Sequence, residues 1–174
     1  MRNSVFFCLL VLASVALQLI VAPAISILGA MPNFVLVLVS VSAMTRPTDS
    51  MVVVGFAAGM LFDLVTCGTP GVMAALLALA AFCACRASER FGNDTLSLSM
   101  FIAMLCSLLV EVCYALFYVA STGVSAFDAL LMRALPCALY DCAICLIALP
   151  LLAVVLSRVA PEHSAPESAT IRLR

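Results

Sequence analysis

The sequence contains no lysine, and only 10% of its 174 residues are charged. Its eight arginines are dispersed along the chain and are balanced by nine acidic residues. A nucleic-acid-binding protein usually carries a dense basic patch, so this distribution argues against a nucleic-acid partner. A soluble domain of this length would need much more polar surface to stay in solution. The shortage of charge therefore excludes a water-soluble globular protein.

The residues and motifs of catalytic sites are equally scarce. The single histidine, His163, lies in the polar C-terminal segment, outside every apolar stretch. The sequence has no nucleophile elbow, no Gly-rich phosphate loop and no HExxH zinc motif. We therefore predict that the protein is not an enzyme and uses no cofactor.

Apolar residues, in contrast, make up 66% of the sequence and give a mean hydropathy of +1.28. They form long runs separated by turn-forming residues, which predicts an all-α integral membrane protein with six transmembrane helices. The hydrocarbon core is about 30 Å thick, and a helix rises about 1.5 Å per residue. Spans two to four are therefore shorter than the core is thick. The predicted spans are Ser4–Val21, Phe34–Met44, Met51–Cys67, Gly71–Cys85, Leu96–Ala120 and Leu135–Ser157.

The first two spans leave alternatives open. Ala22-Pro23-Ala24 resembles a signal-peptide cleavage site, but the apolar run before it is longer than a usual signal core. We therefore interpret this run as an uncleaved span. The second span is the shortest of the six. It either extends back through Ile25–Met31 with a kink at Pro32, or it is a partial span sheltered by neighbouring helices.

The arginines predict the orientation in the membrane. If Arg2 is cytoplasmic and all six stretches cross, seven of the eight arginines are cytoplasmic and only Arg133 lies outside. Arginine next to a span resists translocation, so this bias predicts that both termini are cytoplasmic. Residues 1–158 then form one polytopic membrane domain. Residues 159–174 are rich in proline and in charged and other polar residues, cannot bury enough apolar surface to fold and are expected to form a disordered cytoplasmic tail.

The nine cysteines do not form a recognisable metal or disulfide framework. Seven of them lie inside apolar stretches, where cysteine behaves as a small hydrophobic residue. Cys142 and Cys145 have the spacing of a metal-binding pair, but a site would need a second pair, so we predict no metal site. Cys67 and Cys137 fall near the same membrane face and could pair if that face is oxidising.

One face of the third span has a regular pattern of small and acidic residues. Gly55, Gly59 and Asp63 recur every four residues and therefore share that face. A Gly-x-x-x-Gly pair lets a second helix approach closely, which is how helices associate in lipid. The turn segment Gly68-Thr69-Pro70-Gly71 follows directly. The glycine and acidic pattern together with this turn is a more specific motif than the pattern alone.

Three acids lie inside predicted spans: Asp63, Glu111 and Asp141. Each costs about 2.5–3.5 kcal/mol at the bilayer centre on insertion scales, so each is expected to face protein or water. The predicted topology places all three in the outer half of the membrane, on the same side as Arg133. They either form a polar pocket or docking surface, or they lock helices together separately.

Three short segments carry a family resemblance: Met31–Leu38, Gly55–Val65 and Gly68–Val72. Their Pro-Asn pair, their Gly-x3-Gly-x3-Asp spacing and the following glycine turn resemble MreD, the rod shape-determining membrane protein of bacteria. The chain length, the six stretches and the short Arg-containing tail are also similar to this family. We predict helix-packing and assembly roles for Pro32, Gly55, Gly59, Asp63 and Gly71.

The resemblance implies a non-enzymatic subunit of the cell-elongation machinery in the bacterial cytoplasmic membrane, where lateral peptidoglycan is made. Its implied partners are an MreC-like bitopic membrane protein and, through it, an MreB-like filament and the peptidoglycan polymerase and transpeptidase. No catalytic residues follow from the resemblance.

An alternative from another functional class is the substrate-binding subunit of an energy-coupling-factor vitamin transporter. Such subunits are also small six-helix proteins with Gly and Asp near the outer end of the third span. In this sequence the loop Ser121–Ala134 offers few polar residues to bind a vitamin. That shortage favours the cell-shape interpretation.

Overall fold

The computed structural model describes residues 2–26, 30–66, 69–91, 96–123, 125, 127 and 129–159. Within these residues the chain is all-helical and has no β-strand. The prediction of an all-α membrane protein with six helices is therefore confirmed, whereas the cytoplasmic position of the termini stays a prediction. The helices are α1 (Arg2–Ala24), α2 (Phe34–Thr45), α3 (Ser50–Thr66), α4 (Val72–Phe91), α5 (Leu96–Thr122) and α6 (Leu135–Val159), and a π-helical turn (Ala129–Ala134) leads directly into α6.

Two predictions fall on residues outside the described part of the chain. The tail predicted for residues 159–174 is one of them: its first residue, Val159, is the last residue of α6, and the rest lies outside the described residues, so its disorder stays a prediction. Cys67 is the other, so its pairing with Cys137 is not tested.

Four of the described helices, α1, α4, α5 and α6, are long and apolar enough to cross a membrane. As expected, α2 and α3 are shorter, with 12 and 17 residues. The fourth helix differs from the expectation of a short span, because α4 continues past Cys85 to Phe91 and has 20 residues. Arg86 stabilises this continuation, since it pairs with Glu89 at 2.9 Å and lies 5.3 Å from the centre of the Phe82 ring.

The structure decides between the two alternatives for the second span. α2 begins at Phe34, and residues 30–33 before it are not helical. Asn33 caps the helix, because its side-chain oxygen accepts a hydrogen bond from the Leu36 N–H at 3.1 Å. The span is therefore a separate short helix of about 18 Å rather than the second half of a kinked one.

α2 forms the centre of the helix bundle. Residues 35–44 are all buried, and α2 packs against each of the other five helices. Non-helical backbone at membrane depth is tolerated where protein covers it, so the other helices make the short α2 possible. Apolar side chains on the outside of the bundle, such as Ile147 and Leu151, are exposed, as lipid-facing residues are.

Candidate functional site

The Gly55–Gly59 face of α3 packs against the backbone of α4. A Cβ added to Gly59 would lie 2.5 Å from both the Met73 carbonyl oxygen and the Ala74 Cα. A Cβ on Gly55 would lie 2.8 Å from the Leu77 carbonyl oxygen. Only glycine permits this approach, which makes α3–α4 the most extensive helix–helix contact among the described residues. The helix that covers the glycine face therefore belongs to the same chain.

Asp63 lies one turn beyond Gly59 and caps the beginning of α4. Its Oδ2 accepts hydrogen bonds from the backbone N–H groups of Gly71 at 2.8 Å, Met73 at 3.1 Å and Ala74 at 3.3 Å. The first N–H groups of a helix have no partner within the helix, and a side chain just before the helix usually binds them. Gly71, just before α4, has no side chain that could accept these hydrogen bonds, so the Asp63 carboxylate of α3 accepts them instead. A negative charge is also favourable at a helix N-terminus.

Gly71 is required by its backbone conformation rather than by lack of space. Its φ is +94°, in the region that favours glycine, and a Cβ there would have nothing within 4 Å. This conformation turns the chain into α4 while its N–H still reaches Asp63.

A second polar group surrounds Asp141 in α6, whose side chain is completely buried. Its Oδ1 accepts the backbone N–H of Asn33, and its Oδ2 accepts the hydroxyl of Ser107 in α5 at 2.9 Å. Glu111, one turn further along α5, is buried and within electrostatic range of Asp141. Asp141 thus holds the beginning of α2 against α5 and α6. The buried carboxylates of Asp63 and Asp141 therefore each hold the N-terminus of a helix, α4 and α2 respectively.

Residues 30–33 form a non-helical break before α2. The amide of Gln18 in α1 binds the α2 side of this break. Its Nε2 donates to the Pro32 carbonyl at 2.9 Å, and its Oε1 accepts from the Phe34 N–H at 2.8 Å. On the other side of the break, the Tyr140 hydroxyl donates to the Ile25 carbonyl at 2.7 Å. These bonds give the Ile25 and Pro32 carbonyls and the Phe34 N–H partners inside the bundle, in place of bonds that a continuous helix would make.

The structure divides the predicted polar residues into two groups. Asp63 belongs to the α3–α4 contact, whereas Asp141 lies at the start of α2 and has Glu111 within electrostatic range. Pro32 is fully buried and takes part through its carbonyl. Arg133 falls in the π-helical turn, and its side chain lies outside the described residues. Among the described residues, no cluster of three or more His, Cys, Asp or Glu side chains could hold a metal ion.

Sequence reasoning did not identify Gln18 or Ser107 as parts of this group. Gln18 is the only glutamine in the sequence and lies within an apolar run. An amide in that position needs a partner inside the protein, which is the signal that could have revealed it. Ser107 gives no comparable signal, because serine occurs throughout these helices.

Comparison with known families shows to which family this chain belongs. The model of the family described as rod shape-determining protein MreD matches residues 1–159. The chain belongs to the MreD family. No curated protein and no solved structure matches it.

The matched MreD region ends at the last residue of α6 and contains both polar groups. This member of the MreD family is therefore a rod shape-determining, multi-pass membrane protein. In it, the third-span motif forms the α3–α4 contact, and the Pro-Asn pair forms the start of α2.

Proposed function

We propose that this protein is a non-enzymatic scaffold of the bacterial cell-elongation machinery. It lies in the cytoplasmic membrane with both termini inside and binds an MreC-like bitopic membrane protein. Through that protein it connects to an MreB-like filament and to the peptidoglycan polymerase and transpeptidase. Membership of the MreD family supports the cell-shape part of this proposal.

One structural observation supports a scaffold rather than a reaction centre. The buried carboxylates of Asp63 and Asp141 accept hydrogen bonds from the backbone at the start of α4 and α2. A catalytic acid or base must reach a substrate, and these two groups instead fix the positions of helices. A rigid bundle with a defined outer surface is what a membrane scaffold needs.

Co-purification from native membranes tests the partner. The tagged protein should retain an MreC-like bitopic protein after mild solubilisation, identified by mass spectrometry, and depletion should round or widen rod-shaped cells. A tagged multi-pass protein of unrelated function, expressed at the same level, serves as the control for non-specific retention. If depleted cells keep their shape but lose uptake of a vitamin, the scaffold proposal is wrong and the transporter alternative replaces it.

A further inference from the structure

A row of exposed apolar side chains, the α6 stripe, runs from the α5–α6 connection onto α6. Its members recur every four residues and are 69%, 45%, 46% and 62% exposed: Phe127, Leu131, Leu135 and Leu139. The other side of the same segment is covered, because Ala134 packs against Ala115 of α5, with Leu130 and Val119 around this contact. The connection therefore has one face on α5 and one face open.

The lengths of α5 and α6 place this stripe at one surface of the bilayer. From Leu96, the first residue of α5, to Val119 the helix rises about 35 Å. From Arg158 back to Leu135, the first residue of α6, it rises by the same amount. Both rises exceed a hydrocarbon core of about 30 Å, even at a tilt of about 20°. The upper part of the stripe therefore lies in the layer of headgroups, which is about 5–8 Å thick on each side.

The tyrosines mark the same level. The sequence has three tyrosines. Tyr114 and Tyr118 lie in the last third of α5, and Tyr140 lies near the beginning of α6. Tyrosine is enriched where a membrane meets water, because its ring is apolar and its hydroxyl is polar. This end of the two helices is therefore a membrane–water interface.

We propose that the α5–α6 connection is embedded in this interface instead of projecting into water. Phe127 and Leu131 lie against lipid at the boundary between headgroups and acyl chains, and Leu130 and Ala134 hold the connection on α5. The inference is independent of the proposed scaffold function, since it concerns only how this end of the bundle meets the bilayer.

Continuity with the lipid-facing surface of α6 supports lipid as the occupant. Leu146 follows Leu139 by seven residues, which is nearly two helical turns, so the two share a face. Leu146 is 51% exposed, as a lipid-facing side chain is. Lipid that covers Leu146 and Leu139 therefore meets an unbroken apolar surface that leads to Leu131 and Phe127.

The open area is too small to fit a protein partner. Among the described residues of the connection, 123, 125, 127 and 129–134, the exposed apolar side chains are Phe127 and Leu131. A large aromatic side chain buries about 150–250 Å². A stable protein–protein interface takes about 800 Å² from each partner, which two side chains do not supply. A short apolar face of this kind is typical of segments that lie in the plane of the membrane surface.

The absence of tryptophan from the sequence permits a direct test with single-tryptophan variants. Phe127→Trp is the probe, and Leu131→Trp is a second probe in the same stripe. Ile147→Trp is the control for deep lipid, because Ile147 is 71% exposed and lies in the middle of α6. Phe91→Trp is the control for water, because Phe91 is 64% exposed and ends α4, beyond the apolar run that stops at Cys85.

Each variant is reconstituted alone in phosphatidylcholine vesicles whose acyl chains are brominated either near the glycerol or near the methyl end. We expect the first lipid to quench Phe127→Trp and Leu131→Trp more strongly, and the second to quench Ile147→Trp more strongly. The ratio of the two should place Phe127→Trp about 15–20 Å from the bilayer centre and Ile147→Trp within about 5 Å of it. Acrylamide in the water should quench Phe91→Trp most.

Two results would overturn the proposal. The first is quenching of Phe127→Trp and Leu131→Trp by acrylamide as strongly as Phe91→Trp, with no effect of either brominated lipid. The stripe would then face water in the isolated protein and be free for a partner protein. The second is protection of both probes from acrylamide and from both lipids, which would mean that a second copy of the chain covers the stripe.

Discussion

The backbone N–H of Asn33 donates a hydrogen bond to Asp141 Oδ1, and the two residues are 108 positions apart in the sequence. This bond joins the beginning of the central helix α2 to α6, while the side chain of Asn33 caps α2 itself. The carboxylate therefore takes part in positioning the one helix that every other helix contacts. A disturbance at Asp141 should spread to the whole bundle.

We expect Asp141→Leu to destabilise the protein more than Asp141→Asn. Leucine removes both acceptors and leaves the Asn33 N–H unpaired in the core, at a cost of about 1–3 kcal/mol for that group. Asparagine keeps an oxygen for the Asn33 N–H and offers an amide N–H₂ to the Ser107 hydroxyl oxygen. Thermal unfolding in detergent, followed by circular dichroism, should rank the proteins as wild type, Asn variant, Leu variant. Equal melting temperatures for the two variants would contradict this account.

Gln18→Leu should loosen the break before α2 without unfolding α1. The substitution removes the donor to the Pro32 carbonyl and the acceptor for the Phe34 N–H. Hydrogen exchange measured by mass spectrometry should therefore speed up at Phe34 and its neighbours. Leu19→Ala is the matched control, because Leu19 is the next residue of α1 and is exposed. Unchanged exchange at Phe34 in the Gln18 variant would show that the amide does not hold the break.

The sequence predicts the helices of this fold because bilayer thickness and composition are strong constraints. It does not predict where α4 ends, since the apolar run stops at Cys85 and the mostly polar residues 86–91 remain helical through local contacts of Arg86. The sequence also does not predict where α2 begins, because Pro32 is compatible with a kink within one helix or with a break between two helices. The hydrogen bonds of Gln18 and Asn33 to distant residues favour the break, and these contacts are not visible in the hydropathy pattern.

The candidate site shows the same division between local and distant information. Helical spacing places Gly55, Gly59 and Asp63 on one face, but it does not say which helix covers that face. The structure places α4 there, and it assigns the Asp63 carboxylate to backbone N–H groups rather than to an arginine or a pocket. Acids in membrane spans identify positions that need partners, and only the fold identifies the partners.

Gly59→Ala should destabilise the protein more than Gly55→Ala. The new methyl group at position 59 would meet the backbone of Met73 and Ala74 at 2.5 Å, which a rotamer change cannot relieve. At position 55 the closest atom is 2.8 Å away. Overpacking of this kind costs about 1–3 kcal/mol, and Gly59→Leu should exceed it. Melting temperatures of the two alanine variants, with exposed Ala75→Leu as the control, test the order. The reverse order would mean that α3 and α4 separate easily near Gly59.

Reporter fusions test the orientation that the arginines predict. Fusions after Arg46, Arg90 and Arg158 should report the cytoplasm, because arginine next to a span resists translocation. Fusions near Gly68 and Ser125 should report the exterior. The fusion at Arg46 is the most informative, since α2 before it has only 12 residues. A cytoplasmic signal at Ser125 would contradict a membrane domain with six crossings.

Asp63 links the packing of the bundle to the proposed function in cell shape. Asp63→Leu removes one oxygen that accepts three backbone N–H groups at the start of α4. Asp63→Asn can place its carbonyl oxygen at the same point, so it loses charge and little geometry. In cells depleted of the native protein, we expect the Asn variant to restore rod shape and the Leu variant to fail, although both reach the membrane.

Cell width by microscopy and membrane abundance by immunoblot are measured together, so that loss of the protein is distinguished from loss of function. Phe56→Leu, an exposed position on the same helix, should restore shape fully. Full restoration by Asp63→Leu at normal abundance would show that the cap on α4 is not needed for assembly.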